Sequence, residues 1–247
     1  MTVRIDVADR VATITIDRPE RLNALDEPMR LRLAEAIATC GNDPELGAVI
    51  LTGAGRAFCA GQDLSAIAEL DDCYDTVART YNPIVHAIVD ADLPVIAAVN
   101  GAAVGAGMGI ALACDVVLMS ERASLACVFG AVGLVPDSGT SWQLARTVGA
   151  ARAFELVTTG RRVQPQEAVS LGLATEAVPV EELPARAAAC ARELAAGPRL
   201  AQTLAKRLLR EASSLPLADV LELEARGQNQ AARSVDHLRR RAEFLAR

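Results

Sequence analysis

The sequence contains few aromatic residues and almost no lysine. Of its 247 residues, four are Phe, two are Tyr and one is Trp, and Lys206 is the only lysine. Hydrophobic residues still make up 51% of the chain, so its core must be aliphatic and rich in alanine. A chain of this length can bury a substantial core, either as one α/β domain or as a core with a smaller appendage.

Positive charge is scarce as well, because acidic residues outnumber basic ones and the net charge is −6. A nucleic-acid partner usually requires a basic face, so the charge balance argues against one. An anionic ligand would have to find local arginines instead.

Histidines and paired cysteines are too few for the common metal and disulfide motifs. His86 and His237 lie far apart without a ligand motif, which argues against a zinc site. The six cysteines form no C-x-x-C pair and stand mostly in apolar runs, as reduced, buried thiols do. The first ten residues lack the apolar core of a signal peptide, so we expect a cytoplasmic protein.

The stretch 93–115 carries its only charge at its last residue. Its length would suit a membrane helix, but Pro94 opens a β-branched run and Asn100-Gly101 is a strong turn signal. We therefore predict a buried strand, a loop of Gly and Ala, and a short helix from about Gly107 to Ala113. The small residues let a ligand approach bare backbone, and the first N–H groups of the helix could hold a developing oxyanion. The same residues would equally permit tight packing of a strand against a helix.

The other elements follow from hydrophobic periodicity and turn signals. A β-hairpin is predicted from strands 3–7 and 11–16, followed by a helix over 26–40 with Asp26 as N-cap and Gly41 as its stop. Further strands are predicted at 47–52 and 116–120, and further helices at 74–89, 140–148, 150–159 and 165–171. From about residue 180 the pattern is purely helical. This alternation predicts an α/β core with mostly parallel strands.

Three familiar motifs are missing from the sequence around the two glycine-rich loops, which are GAGRAFCAGQDL at 53–64 and the loop within 94–109. Neither loop carries the G-K-[ST] of a phosphate-binding loop, and GAGMG lacks the G-x-G-x-x-G spacing of a dinucleotide site. Ser138 and Ser141 follow no G-x-S-x-G elbow. Nucleotide binding and serine hydrolysis are therefore not indicated.

Asp137 stands in the glycine-rich loop GLVPDSG, just before the helix predicted at 140–148. One interpretation is an N-cap or turn aspartate, since both positions favour this residue. The other is a carboxylate that faces the glycine-rich stretches as general base and acid. The loop alone leaves both open.

Three ordered segments together resemble the crotonase, or enoyl-CoA hydratase and isomerase, superfamily. They are RAFCAGQDL at 56–64, PVIAAVNGAAVGAGMGIALACD at 94–115 and GLVPDSGTSWQLARTVGAARAFEL at 133–156. The resemblance extends through essentially the whole chain. It implies an α/β fold with a core of repeated ββα units arranged as a spiral over 1–195, and an all-helical C-terminal region for oligomerisation over 196–247.

The resemblance also implies a catalytic arrangement. In this superfamily the thioester carbonyl of an acyl-CoA lies between two backbone N–H groups, which by position would be those of Ala60 and Ala106. Two such donors polarise the carbonyl and stabilise an enolate, each worth about 10²- to 10³-fold in rate. Asp137 would move the proton.

Departures from the superfamily pattern narrow the expected chemistry. Hydratases carry two glutamates that hold and activate water, and the matching positions here are Gly109 and Phe129, which cannot transfer protons. Asp137 occupies the position of a catalytic aspartate in the ring-opening isomerases of the phenylacetyl-CoA pathway and in the aryl-CoA dehalogenases. The dehalogenases also have an upstream Trp-His pair, which here falls on Tyr81-Asn82.

The sequence therefore favours an acyl-CoA isomerase that shifts a double bond or opens a strained ring next to a thioester enolate. Enoyl-CoA hydration, a degenerate acyl-CoA-binding or scaffold role, and aryl-CoA dehalogenation are the alternatives. The resemblance implies a homotrimer or a hexamer, coenzyme A only as the carrier of the substrate, and neither a metal nor a membrane partner. The implied substrate-binding residues are Arg21, Ala60, Gln62, Asp63, Leu64, Gly105, Ala106, Phe129, Leu134, Lys206 and Arg207, of which the three basic ones would contact the phosphates.

Overall fold

The computed structural model describes residues 2–63, 65 and 73–246. These residues form two β-sheets surrounded by helices. The strands are β1 (Val3–Ala8), β2 (Val11–Ile16), β3 (Ala48–Gly53), β4 (Ala57–Cys59), β5 (Val95–Val99), β6 (Ala102–Val104), β7 (Val116–Ser120), β8 (Ser124–Ala126), β9 (Arg162–Val163) and β10 (Glu176–Val178). The first sheet has the order β1-β2-β3-β5-β7-β10, and the second has the order β4-β6-β8-β9.

The strands of the first sheet are parallel except at one edge. There β1 and β2 form the predicted antiparallel hairpin, in which Asp9 and Arg10 adopt positive φ angles of 51° and 63°, as a two-residue hairpin turn requires. Each following neighbour in this sheet pairs in parallel. The predicted parallel core is therefore confirmed.

The helices account for most of the rest of the described chain. They are α1 (Glu27–Asn42), α2 (Cys73–Thr76), α3 (Asn82–Asp90), α4 (Ala106–Ala113), α5 (Thr140–Val148), α6 (Ala150–Thr159), α7 (Pro165–Ser170), α8 (Leu183–Ala195), α9 (Arg199–Ala212), α10 (Leu217–Ala231) and α11 (Val235–Leu245). The side chain of Asp26 caps α1, as predicted, by accepting from the N–H of Met29. Gly41 does not end this helix as predicted, because α1 continues to Asn42. A Cβ added at Gly41 would lie 2.7 Å from the Cβ of Ala91.

Two expectations about local structure were incomplete. The helix predicted over 74–89 is interrupted by a π-helical turn, Val77–Tyr81, between α2 and α3. The segments predicted as loops around residues 57 and 102 contain β4 and β6, which have three residues each. Strands this short show no periodicity, so the second sheet could not be read from the pattern.

The second sheet makes the ββα repeat visible. Strands β3, β5 and β7 of the first sheet are each followed by a short strand of the second and then by helical segments, as in β3-β4-α2/α3 and β5-β6-α4. This repeat confirms the predicted α/β class. It also brings the ends of β4 and β6 side by side, since these two strands pair in parallel.

The core lies on both faces of the first sheet. Along β3, Val49 and Leu51 face the larger cluster between the sheets, whereas Ala48 and Ile50 face a smaller cluster that α8 covers. This alternation follows from the two-residue period of a strand.

The chain ends in helices, as predicted, and α9 is fixed to the core by polar contacts. Thr203 donates to the carbonyl of Asp92 at 2.6 Å. Lys206 and Arg210 both pair with Asp115, at 2.8 and 2.9 Å. The predicted boundary near residue 195 coincides with the end of α8, but a separate C-terminal domain stays a prediction. Within the described ranges, no helix is long and apolar enough to cross a membrane.

Candidate active site

The turn before α1 holds the loop that follows β4. The side chain of Asn23 is fully buried and donates to the carbonyl oxygens of Ala54, Ala57 and Phe58 at 2.9, 2.7 and 3.3 Å. Its own carbonyl accepts from the N–H of Arg18 at 2.9 Å. One buried amide therefore fixes the start of the loop that contains residues 60–63.

Asp63 fixes the other end of this loop. Its carboxylate accepts from the N–H and the hydroxyl of Ser65, at 3.0 and 2.6 Å, and pairs with Arg18 at 2.8 Å. The hydrogen bonds from Ser65, aided by Arg18, lower the pKa of Asp63 to about 2. We expected Asp63 to bind substrate, but its carboxylate is engaged in holding the loop.

The hydrogen bonds of this loop make Gln62, rather than Ala60, the candidate oxyanion donor. The N–H of Ala60 donates to the carbonyl of Leu22 at 3.1 Å and is not available to a ligand. Gln62 forms a parallel β-bridge with Leu25. Its hydrogen bonds run from the N–H of Leu25 to the carbonyl of Gly61, at 2.8 Å, and from the N–H of Asp63 to the carbonyl of Leu25, at 3.1 Å. The N–H of Gln62 therefore points to the opposite side and has no partner among the residues described.

The second candidate donor is Ala106, as the resemblance implied. It is the first residue of α4, so its N–H has no partner within the helix and lies at the positive end of the helix dipole. A Cβ at Gly61 would lie 3.5 Å from this nitrogen. Gly105, with φ 56° and ψ −124°, makes the sharp entry to the helix. The backbone beside Gln62 and the start of α4 are thus in contact.

Asp137 shares a cavity with Gln62, whereas Gly105, Ala106 and Phe129, which were also expected at the substrate, are not among the residues that line it. The cavity has a volume of about 510 Å³ and is lined by Gln62, Asp137 and mostly apolar groups, including Val77 and Leu134. The predicted lining residue Leu134 is therefore in place. This volume is within the usual range for small-molecule sites.

The conformation of the 137–139 segment fixes the carboxylate. Ser138 has a positive φ of 51°, which is uncommon for a residue other than Gly and marks local strain. Its hydroxyl donates to Oδ1 of Asp137 at 2.8 Å. The N-cap of α5 is Gly139, without a side-chain cap, so the interpretation of Asp137 as an N-cap is wrong.

The surroundings of Asp137 make its carboxylate more basic than usual. Burial raises the pKa of Asp137, against the opposing effects of the Ser138 hydrogen bond and the positive charge of Arg30. A raised pKa makes the carboxylate a stronger base. It is therefore suited to exchanging a proton with carbon.

Gly109 and Phe129 stand where hydratases would carry glutamates. A Cβ at Gly109 would lie 2.6 Å from both the Ser138 carbonyl oxygen and the Thr140 hydroxyl. Phe129 is only 8% exposed, and its ring lies 3.8 Å from the position of a Cβ at Gly105. No acid–base group stands at either position, and no space remains at the first.

The three basic residues expected at the phosphates differ in their surroundings. Arg21 is exposed, and Arg207 is exposed and pairs with Asp92 at 3.0 Å. The ammonium of Lys206 pairs with Asp115 and donates to the carbonyls of Ile88 and Leu93, which uses all three of its protons. Lys206 therefore fixes α9 to the core and has no proton left for a phosphate ligand.

Two further observations complete the site. Leu64, which was expected to bind substrate, lies outside the described residues.

Arg30 was not singled out from the sequence, yet it is 1% exposed and donates to the hydroxyl of Thr80 at 2.8 Å. The sequence feature that could have identified Arg30 is its helical spacing with Leu33 and Ile37, two residues of the buried face of α1.

Comparisons with known proteins identify the family. The chain matches the enoyl-CoA hydratase/isomerase family over residues 6–244. A probable enoyl-CoA hydratase of Rhodobacter capsulatus is 42% identical over 236 residues, covering 95% of this chain and 91% of that protein. The 1,2-epoxyphenylacetyl-CoA isomerase of Escherichia coli is 38% identical over 242 residues, covering 96% of this chain and 92% of the isomerase.

Solved structures identify the same fold. The crystal structure of an enoyl-CoA hydratase from Polaromonas sp. JS666 has a TM-score of 0.92 at 32% identity, covering 99% of this chain and 96% of that one. This similarity confirms the predicted spiral fold. The chain therefore belongs to the enoyl-CoA hydratase/isomerase family of the crotonase superfamily.

Proposed function

We propose that this protein is an acyl-CoA isomerase that works through a thioester enolate. The observation that carries the proposal is the position of Asp137. Among the described residues that line the cavity, it is the only carboxylate, and it shares that cavity with Gln62. Acid–base groups are missing at both positions where hydratases hold water.

The chemistry follows from these groups. The carboxylate of Asp137 takes a proton from a carbon next to the unsaturated or strained part of the acyl group. The electron pair of that C–H bond moves into the thioester, and the carbonyl oxygen becomes an oxyanion between the N–H groups of Gln62 and Ala106. Return of the proton from Asp137 to a different carbon completes a double-bond shift. In a strained ring next to that carbon, return of the enolate's electron pair would break the ring bond, and Asp137 would give its proton to the atom released.

The relatives' names do not decide between isomerase and hydratase, since one is a probable hydratase and the other an isomerase. The site favours isomerisation because hydration requires groups that hold and activate a water molecule. Gly109 has no side chain, and Phe129 is apolar. Aryl-CoA dehalogenation is less well supported, because Asn82 at the position of the upstream histidine cannot act as a base.

The remaining parts of the proposal concern the substrate. Leu134 and the other apolar residues of the cavity would contact the acyl group. Arg21 and Arg207 are candidates for contacts with the coenzyme A phosphates, because both are exposed. We propose no metal or redox cofactor and place the protein in the cytoplasm as a homotrimer or hexamer.

Incubation with acyl-CoA substrates in deuterated water tests the proposal. We expect a 3-enoyl-CoA to be converted to its 2-enoyl isomer with deuterium incorporated at carbon, whereas hydration of crotonyl-CoA should be slow. Rapid hydration that persists in Asp137→Asn would place the protein among the hydratases. A protein that binds acyl-CoA but catalyses no exchange would be a binding or scaffold member.

A further inference from the structure

Tyr81 has a buried hydroxyl that the fold does not use. The residue is fully buried, and its hydroxyl oxygen has no hydrogen-bond partner within the described part of the chain. Leaving such a group unpaired is unfavourable, and most buried polar groups in proteins are satisfied. The hydroxyl therefore calls for an explanation beyond packing.

The position of Tyr81 places it behind the cavity wall that carries Asp137. It ends the π-helical turn Val77–Tyr81, a feature often found at functional sites. Ala78 and Asn82, on either side of it, line the cavity together with Asp137. Val85, one helical turn further on the same face, lies 3.6 Å from the position of a Cβ at Gly139. This helix face is thus packed against the 137–139 segment.

Arg30 connects the tyrosine and the aspartate electrostatically. Its guanidinium lies 4.8 Å from the centre of the Tyr81 ring and is held in place by Thr80. The same positive charge lowers the pKa of Asp137. Arg30 and Tyr81, which are buried, and Asp137, which is partly buried, therefore form one polar cluster under the cavity.

The phenol in this cluster stays protonated. Burial is the main cause that raises the pKa of Tyr81, and the charges of Cys59 and Asp137 add to it against the effect of Arg30. The other titratable groups here are two thiols: burial raises the pKa of Cys59 to about 12, and burial together with Asp137 raises the pKa of Cys127 to about 11. A protonated phenol can donate to an anionic neighbour, and the carboxylate of Asp137 is one whose charge acts on it.

We propose that Tyr81 is a positioning residue for Asp137, whose buried hydroxyl donates a hydrogen bond to the carboxylate when substrate fills the cavity. Ser138 already holds Oδ1 of this carboxylate. A second donor would fix its orientation toward the carbon that loses the proton and would stabilise the charged form. This role rests on the proposed function, since it acts through Asp137.

Tyr81→Phe tests the proposal, because it removes the hydroxyl and keeps the ring over Arg30. The free protein should keep its stability, since no hydrogen bond is lost. The acidic limb of the kcat profile, which reports the pKa of the enzyme–substrate complex, should move to higher pH by about one to two units, the equivalent of one hydrogen bond to a charged group. The pKa of Asp137 should rise by the same amount in the complex with a non-reactive acyl-CoA analogue. Carboxyl ¹³C NMR measures this pKa, and the loss of the signal in Asp137→Asn assigns it.

A double variant separates this inference from the proposed function. In an Asp137→Asn background, Tyr81→Phe should have no further effect on turnover. If Asp137→Asn alone leaves turnover unchanged, the proposed function fails. If Asp137→Asn abolishes turnover while Tyr81→Phe leaves both the pH profile and the carboxyl pKa at wild-type values, only the role of Tyr81 is overturned.

Discussion

Gly109 and Ser138 are packed so closely that no side chain fits between them. A Cβ at Gly109 would lie 2.6 Å from the carbonyl oxygen of Ser138 and 2.8 Å from its Cβ. The segment that positions Asp137 thus occupies the space that a glutamate at 109 would need. With this loop conformation, a carboxylate can stand at one position or the other but not at both.

Gly109→Ala should therefore disturb the Asp137 segment. Overpacking of a close contact costs about 1–3 kcal/mol, so we expect lower stability together with a lower kcat. Gly130→Ala is the matched control, because the nearest atom to its Cβ would be 3.6 Å away. Thermal unfolding and turnover of both variants check this expectation. Wild-type behaviour of Gly109→Ala would show that the loop yields freely.

Asp137→Asn should separate activity from stability. The variant keeps an oxygen to accept from Ser138 but loses the base, so kcat should fall by about 10²- to 10⁴-fold while the Kd for acyl-CoA is preserved. Because the folded state raises the pKa of Asp137 above 3.8, its charged form destabilises the fold at neutral pH. Removing this charge should raise Tm at pH 7.

The pH dependence of this gain has a definite sign. A carboxyl group whose pKa is raised by folding stabilises the native state below its unfolded pKa, and that contribution is lost as pH rises through the folded value. The Tm advantage of Asp137→Asn over wild type should therefore shrink as pH falls from 7 toward 4. An advantage that grew on acidification would contradict the raised pKa.

The backbone donor at residue 62 can be tested by comparing two substitutions. Gln62→Pro removes the N–H, and loss of one oxyanion donor costs about 10²- to 10³-fold in kcat. Gln62→Ala keeps the N–H and should retain most of the activity. Equal kcat values for folded Gln62→Pro and Gln62→Ala would remove this N–H from the mechanism. Circular dichroism and unfolding curves establish that both variants are folded.

The sequence predicted the long elements well because their periodicity is strong. The helices at 140–148 and 150–159 and the strand at 116–120 have the expected bounds. The three-residue strands were missed because so few residues cannot show alternation. The same limit explains the error at Ala60. Which N–H faces the cavity depends on the bridge between Leu25 and Gln62, a tertiary contact that no local pattern encodes.

One of the three basic residues expected at the phosphates was also assigned wrongly. Lys206 looked like a surface cation available to a phosphate, but its side chain is only 7% exposed, in a pair with Asp115. A charge at a buried position has to be paired, and the partner lies about 90 residues away in sequence, as the numbering shows. Asp137 was singled out because a family motif, rather than a local preference, marked its position, and its catalytic role stays a prediction.

The pair of Lys206 and Asp115 should be a main support of α9. Removing one partner of a buried pair costs about 3–5 kcal/mol, and we expect the lower end for Lys206→Ala because Arg210 still pairs with Asp115. Arg207→Ala is the matched control, since its exposed pair with Asp92 should contribute about 0–1 kcal/mol. Denaturant titration of both variants measures the difference. Equal effects would mean that burial of the pair adds nothing.

The last prediction concerns assembly through the C-terminal helices. Leu217 and Leu221 on α10 are 73% and 54% exposed in the single chain, and a cluster of apolar side chains left in water favours association. We expect a trimer or hexamer in sedimentation velocity at micromolar concentration. Leu217→Glu with Leu221→Glu should shift it toward monomer, whereas Gln230→Glu adds a charge at an exposed polar position of the same helix and should not. A wild-type protein that sediments as a stable monomer would refute the prediction, because the exposed leucines would then need no partner copy.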